Sequence, residues 1–143
     1  MRTLSVAAFG CMVAGIVWLV FRSEVFAHSV PAIAVQALAV LLMILARMAF
    51  GMRSFHAAAN PTEGGLVTTG PYHWMRHPIY AAILYFTWAT VIDHHTRGAV
   101  ASGLLVTLGA AVRMYFEEQL LVGMYPDYRD YAARTARVVP FLF

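Results

Sequence analysis

The chain contains no lysine; all ten of its basic side chains are arginine, set against seven acidic residues. Charged residues make up only 12% of the 143 positions, and 61% are hydrophobic, which excludes an ordinary soluble domain of this size. A single cysteine, Cys11, rules out an intrachain disulfide. The arginines are scattered between apolar segments and do not gather on one face, so the net charge of +3 does not imply a nucleic-acid partner. No glycine-rich dinucleotide fingerprint, internal repeat or low-complexity segment is present. No His, Cys and Glu set has metal-ligand spacing, and His94-His95 is expected on the far side of the membrane from the other polar clusters, so no metal is expected.

Long apolar runs dominate what remains. Leu4–Phe21 is an uncharged stretch of 18 residues, close to the roughly 20 that cross a bilayer core. A signal peptide with a cleavage site at Val25-Phe26-Ala27 competes with this reading; the length of the run and the spans that follow favour a retained helix. Pro31 opens a second run that continues past Arg47 to about Met52, with Arg47 snorkelling to the interface. Ile79–Ile92 and Gly98–Val112 form a third and fourth run around the polar turn Asp93–Gly98, and nothing stops the last helix before about Gly123. Tyr125–Ala136 reads as an interfacial amphipathic helix, and the tail Val138–Phe143 as an apolar segment that docks on the membrane.

The expected fold is therefore all-α: a multi-pass integral membrane protein with about four transmembrane helices and a C-terminal interfacial helix. It forms one membrane domain over residues 1–143, with two helices in 1–52 and a core in 53–143 made of a connector, a helical hairpin and the C-terminal segment. Four spans place Arg2, Arg47, Arg53, Arg76, Arg113, Arg129, Arg134 and Arg137 on one side and only Arg22 and Arg97 on the other. That bias predicts a cytoplasmic location for both termini and for the connector.

The connector Arg53–His77 turns at Asn60-Pro61, at Gly64-Gly65 and again at Gly70-Pro71. It ends in Thr69–Tyr80, TGPYHWMRHPIY, the stretch densest in groups that bind or orient others. Pro78 suits the first position of a helix because its missing N–H would have no partner there. The residue before a proline is held extended, so His77 belongs at the cap, beside the open N–H groups of the first turn. A second polar cluster, Arg113, Glu117 and Glu118, falls where the fourth run leaves the membrane. Residues 113 and 117 share a helix face and can pair, whereas Glu118 is turned about 100° away. Adjacent carboxylates beside hydrocarbon are costly unless something binds them.

Taken together, the ordered pieces resemble the isoprenylcysteine carboxyl methyltransferases, membrane enzymes related to the phospholipid N-methyltransferases. These pieces are Leu66–Tyr72, Arg76-His77-Pro78-Ile79-Tyr80, Glu117-Glu118, and Asp127-Tyr128 with Tyr131, Arg137 and Pro140. The resemblance covers the last half of the chain and makes 53–143 a methyltransferase-like core. Two positions depart from the pattern: Ala82, where glycine is common, and His73, where a stronger base is common. The resemblance implies S-adenosylmethionine as cofactor. Its expected partners are His77 with the helix start Pro78–Tyr80 for the carboxylate, Glu117 and Glu118 for the amino group and ribose, and Tyr72, Trp74 and Tyr80 for adenine. Arg113, then Arg76, are the candidates to orient an acceptor carboxylate; Glu118 is the candidate base for an amine or thiol. The acceptor is expected to be an amphiphile such as a prenylated cysteine, reached from the bilayer, with a lipid amine or small thiol as alternatives. An NADPH-dependent membrane reductase and a non-enzymatic helical protein are the readings from other classes. Oligomeric state is left open.

Overall fold

The computed structural model describes residues 2–51 and 65–140, and within them every extended element is helical. Helix α1 runs Arg2–Phe21, α2 Val30–Phe50, α3 Pro78–His94, α4 Arg97–Met124 and α5 Tyr128–Arg134. A 3-10 turn, Gly70–His73, precedes α3. The turns expected at Asn60-Pro61 and Gly64, together with Arg53 and the last three residues of the tail, lie outside the described residues.

Three of these helices, α1, α2 and α4, are long and apolar enough to cross a membrane. The chain is thus an all-α, multi-pass integral membrane protein. Helix α3 has 17 residues, or about 25 Å at 1.5 Å each, against a hydrocarbon core of about 30 Å. It is longer than its apolar run because Asp93 and His94 continue the helix. The expected loop Asp93–Gly98 shrinks accordingly: His95 caps α3 in the left-handed conformation, and Thr96 begins α4 by accepting a hydrogen bond from the Ala99 N–H at 3.0 Å. The C-terminal helix is also shorter than expected, because α4 does not end until Met124 and the turn through Pro126 delays α5 to Tyr128.

Helix α1 packs along α4 and α2 along α3, while α3 and α4 form the hairpin. Small residues set the closeness of these crossings. A Cβ on Gly109 would come within 2.6 Å of the Ala8 carbonyl oxygen, so only glycine lets α1 and α4 meet there. Buried Ala8, Ala46, Ala81, Ala99 and Ala110 line the interior, whereas Val17, Val20, Leu38, Leu104 and Leu108 face outward. A small-residue interior under an apolar exterior is the layout that lipid solvent favours.

The α1–α2 and α3–α4 loops interlock at one end. Thr96 donates its hydroxyl to Glu24 at 2.9 Å, and Asp93 accepts from the backbone N–H groups of His28 and Ser29 at 2.6 and 3.0 Å. Below them Gln36 of α2 donates to Thr90 of α3 at 2.8 Å and to the Val25 carbonyl at 2.9 Å. This network satisfies polar groups that would otherwise be costly in the apolar interior.

Candidate active site

The opposite end of the bundle holds the polar clusters. His77 caps α3 with φ −126° and ψ 56°, and Pro78 follows as the first helical residue. The segment before it is strapped to the C-terminal tail. Ala136 donates its N–H to the Trp74 carbonyl at 3.2 Å, Arg76 donates to the Ala136 carbonyl at 2.7 Å, and His77 to the Arg137 carbonyl at 3.0 Å. Met75 and Ala136 form a parallel bridge. The strap places Arg76, His77 and Arg137 around the end of α4.

Their common target is Glu118. Arg76 Nε lies 3.1 Å and His77 Nε2 3.2 Å from Glu118 Oε1, and Arg137 Nη2 lies 3.2 Å from Oε2. The second arm of Arg76 donates to the carbonyls of Ala132 and, at 2.9 Å, Thr135, which fixes α5 against the site. Glu117, turned away on α4, has its own partners. Tyr80 donates its hydroxyl to Glu117 Oε1, Arg113 Nη2 lies 3.3 Å from the same oxygen, and His77 Nδ1 stands 3.8 Å from Oε2. His77 thus sits between the two carboxylates. In the Arg76–Glu118 pair both side chains are mostly buried, and breaking a buried pair is costly because it leaves a charge uncompensated.

Arg113 is buried at 4% exposure. Its Nε donates to Tyr80 at 2.7 Å, and its Nη1 to the Ser5 carbonyl at 3.3 Å. Its guanidinium lies 5.2 Å from the centre of the Phe9 ring. Helix α1, which carried no motif, therefore reaches the site through Ser5 and Phe9. The two arginines expected to orient an acceptor, Arg113 and Arg76, are instead engaged with Glu117, Tyr80 and Glu118. A charge at this depth needs a partner, and the carboxylate one turn along α4 supplies it.

The structure gathers His77, Pro78, Tyr80, Arg76, Arg113, Glu117 and Glu118 at one end of the bundle. Tyr72 lies behind this group. Its ring packs 5.6 Å from that of Phe50 and its carbonyl accepts from the Tyr131 hydroxyl at 2.6 Å. Burial raises the Tyr72 phenol far above its ordinary pKa. Trp74 faces outward, 54% exposed and edge-on to His73, whereas Tyr72 is buried. Ala82 is buried within α3.

Arg137, Tyr128 and Tyr131 belong to the site neighbourhood although they were read only as parts of a pattern. Tyr128 and Tyr131 are three apart on α5 and share its buried face. No spacing rule carries Arg137 back to Glu118, because the strap that does so is a tertiary contact. The hydroxyl of Tyr128 is buried without a hydrogen-bond partner among the described residues, as is that of Ser5. Burial raises the Tyr128 phenol well above its ordinary pKa, Glu118 adds to the rise, and Arg76 opposes it. A buried hydroxyl without a partner is costly, and its place within electrostatic reach of Glu118 and Arg76 fits a site built to take another polar group.

An apolar groove of about 450 Å3 opens beside this end of the bundle, lined by Leu4 of α1 and by Ala111, Val112, Tyr115 and Phe116 of α4. The polar end and the groove together can hold a charged group and a hydrocarbon chain at one membrane boundary.

A family model described as phospholipid methyltransferase matches residues 26–128, which takes in α2, the whole hairpin and the Glu117-Glu118 pair and leaves out α1. No curated protein and no solved structure matches the chain.

Proposed function

The chain belongs to the phospholipid methyltransferase family of membrane methyltransferases, and on that premise we propose that it transfers a methyl group from S-adenosylmethionine to the polar head of an amphiphile at the membrane boundary, with the carboxylate of an isoprenylcysteine as the foremost acceptor. The observation that carries the reading is the convergence of Arg76, His77 and Arg137 on Glu118. It joins the Arg-His-Pro stretch, the end of the hairpin and the C-terminal strap into one prebuilt polar site.

When bound, S-adenosylmethionine supplies a methyl group on a positively charged sulfur. The chain's residues fit it: His77 and the first turn of α3 for its carboxylate, Glu117 and Glu118 for its amino group and hydroxyls, and the Tyr128 hydroxyl, which has no partner among the described residues, as a further donor. Tyr80, held between Arg113 and Glu117, forms a wall of the same site. Their work is to hold donor and acceptor in line, since aligned reactants save most of the entropic cost of meeting. A carboxylate acceptor is already ionised at neutral pH and calls for no base. Its hydrocarbon chain suits the groove lined by Leu4 and Phe116.

A lipid amine is the second reading, and the engagement of both arginines favours it. An amine needs no cation to orient it, but it must lose a proton. Both Glu118 oxygens face cations, so Glu117, paired with a single arginine and 24% exposed, is better placed to accept that proton. We also propose four spans, with α3 crossing at a thinned boundary and the site on the cytoplasmic side, because eight of the ten arginines fall there.

The deciding experiment is methyl transfer from labelled S-adenosylmethionine by purified protein in liposomes, offered either a farnesylated cysteine or phosphatidylethanolamine. Product from the first alone supports the carboxylate reading, and product from the second alone replaces it. Absence of both products, together with no binding of S-adenosylhomocysteine, would remove the methyltransferase reading.

A further inference from the structure

The end of the bundle away from Glu118 carries a second cluster that methyl transfer does not use. One potential ligand atom from each of His28, Asp93 and His94 lies within 4.8 Å of the other two. His28 comes from the α1–α2 loop, while Asp93 and His94 come from the last turn of α3, 65 and 66 positions further along the sequence. We propose that these three side chains form a binding site for a divalent transition-metal ion of the zinc class, which clasps the α1–α2 loop to the end of α3.

Several features point to a ligand and not to a plain capping arrangement. His28 Nδ1 stands 3.6 Å from Asp93 Oδ2, which is too long for a hydrogen bond. It is close to the separation of about 3.3 Å between donors that share a tetrahedral ion with bonds of about 2.05 Å. The Asp93 carboxylate is held rigidly: Oδ2 accepts the His28 N–H and Oδ1 the Ser29 N–H. The Ser29 side chain also bonds this carboxylate, so of its roughly four lone-pair sites one remains for an ion. The third side chain is also fixed. His94 Nε2 lies 3.0 Å from the Phe26 carbonyl oxygen, which can only accept, so in the neutral imidazole that nitrogen carries the hydrogen and Nδ1 is the one left to bind an ion. A hydrogen bond from one imidazole nitrogen to a backbone carbonyl is the support that metal-bound histidines ordinarily have.

The donor set selects the metal. Two imidazoles and one carboxylate suit zinc and its neighbours, whereas calcium and magnesium take oxygen ligands. Three protein ligands leave a fourth position for water. Asp93 is 16 residues from His77 along the chain, or about 24 Å along α3, so the ion would not meet the methyl-transfer site. Its effect is to brace the loops that Asp93, Thr96 and Glu24 already interlock.

The test uses the full-length protein in detergent, with any affinity tag removed and bound metal stripped by chelator. Zinc chloride is then titrated in competition with a chromophoric chelator, and thermal unfolding is followed with and without zinc. One equivalent should bind, and the melting temperature should rise as expected for a ligand that binds only the folded state. His28 is 79% exposed in its side chain, so His28→Ala should fold normally yet bind zinc at least about tenfold more weakly and lose the thermal rise. His95→Ala, at an exposed neighbouring histidine, should keep both. Absence of stoichiometric binding by the wild type, or an undiminished affinity in His28→Ala, would overturn the site.

Discussion

His77 Nε2 lies 3.2 Å from Glu118 Oε1, although the two are 41 positions apart and sit on the two arms of the helical hairpin. The contact makes the start of α3 and the end of α4 one unit. It also means that neither residue can be changed without altering the other's surroundings, which is what a shared cofactor site requires.

The first prediction follows directly. His77→Ala and Glu118→Gln should each weaken S-adenosylhomocysteine binding about ten- to a hundredfold, the worth of a charge-assisted hydrogen bond of about 1.5–3 kcal/mol. Because the two side chains touch, the double variant should lose less than the sum of the single losses. Calorimetric titration of the three proteins measures this. Strict additivity would show that the two residues act separately.

Much of this geometry was legible in the sequence. Pro78 fixes the start of α3, and its effect on the preceding residue places His77 at the cap; both are local rules, and both hold in the structure. The spacing of Arg113 and Glu117 gave their ion pair in the same way. What stayed hidden depends on chain segments far apart. Arg137 reaches Glu118 only because the tail pairs with Trp74–His77, and Ser5 meets Arg113 only because Gly109 lets α1 come close. The cluster of His28, Asp93 and His94 was invisible for the same reason: its members are neighbours across two loops. Helix ends were misjudged where polar residues continue a helix, as Asp93 and His94 do.

Arg113 gives the second prediction. Its donors go to Tyr80, Ser5 and Glu117, so it is expected to act first as an anchor. Arg113→Ala should destabilise the protein by about 3–5 kcal/mol by leaving Glu117 uncompensated, read as a large fall in melting temperature. Adding Glu117→Gln should recover part of that loss. If Arg113→Lys instead keeps the wild-type melting temperature and cofactor affinity but loses turnover on a carboxylate acceptor, Arg113 is the acceptor's orienting group, because lysine lacks the planar two-pronged grip.

Topology gives the third. The α1–α2 and α3–α4 loops are bonded through Thr96 to Glu24 and through Asp93 to His28, so they share one end of the bundle, and the orientation proposed from the arginine bias has that end outside. In a Cys11→Ala background, His95→Cys should react with an impermeant thiol reagent added to the outside of intact cells. Reaction only after the inner side is exposed would refute the proposed orientation.

The last prediction concerns the hydroxyl of Tyr128, which is buried without a partner among the described residues and within electrostatic reach of Glu118 and Arg76. In a protein with no use for it, such a group is a pure cost, and its removal should be neutral or stabilising, because an unsatisfied buried polar atom costs about 1–3 kcal/mol. Since its pKa is raised, the phenol keeps its proton across the working pH range and can serve only as a neutral hydrogen-bonding group. Tyr128→Phe should therefore leave the melting temperature of the ligand-free protein unchanged or higher. If the hydroxyl bonds to the cofactor, the same variant should bind S-adenosylhomocysteine more weakly, by up to about tenfold for one neutral hydrogen bond. The two readouts move in opposite directions, which separates a binding role from a packing one: lost packing would lower both together. Equal affinity in Tyr128→Phe and wild type would place the hydroxyl outside the cofactor site. The acceptor would then be the group to test against it, by comparing KM for the farnesylated cysteine and for the lipid amine in the two proteins.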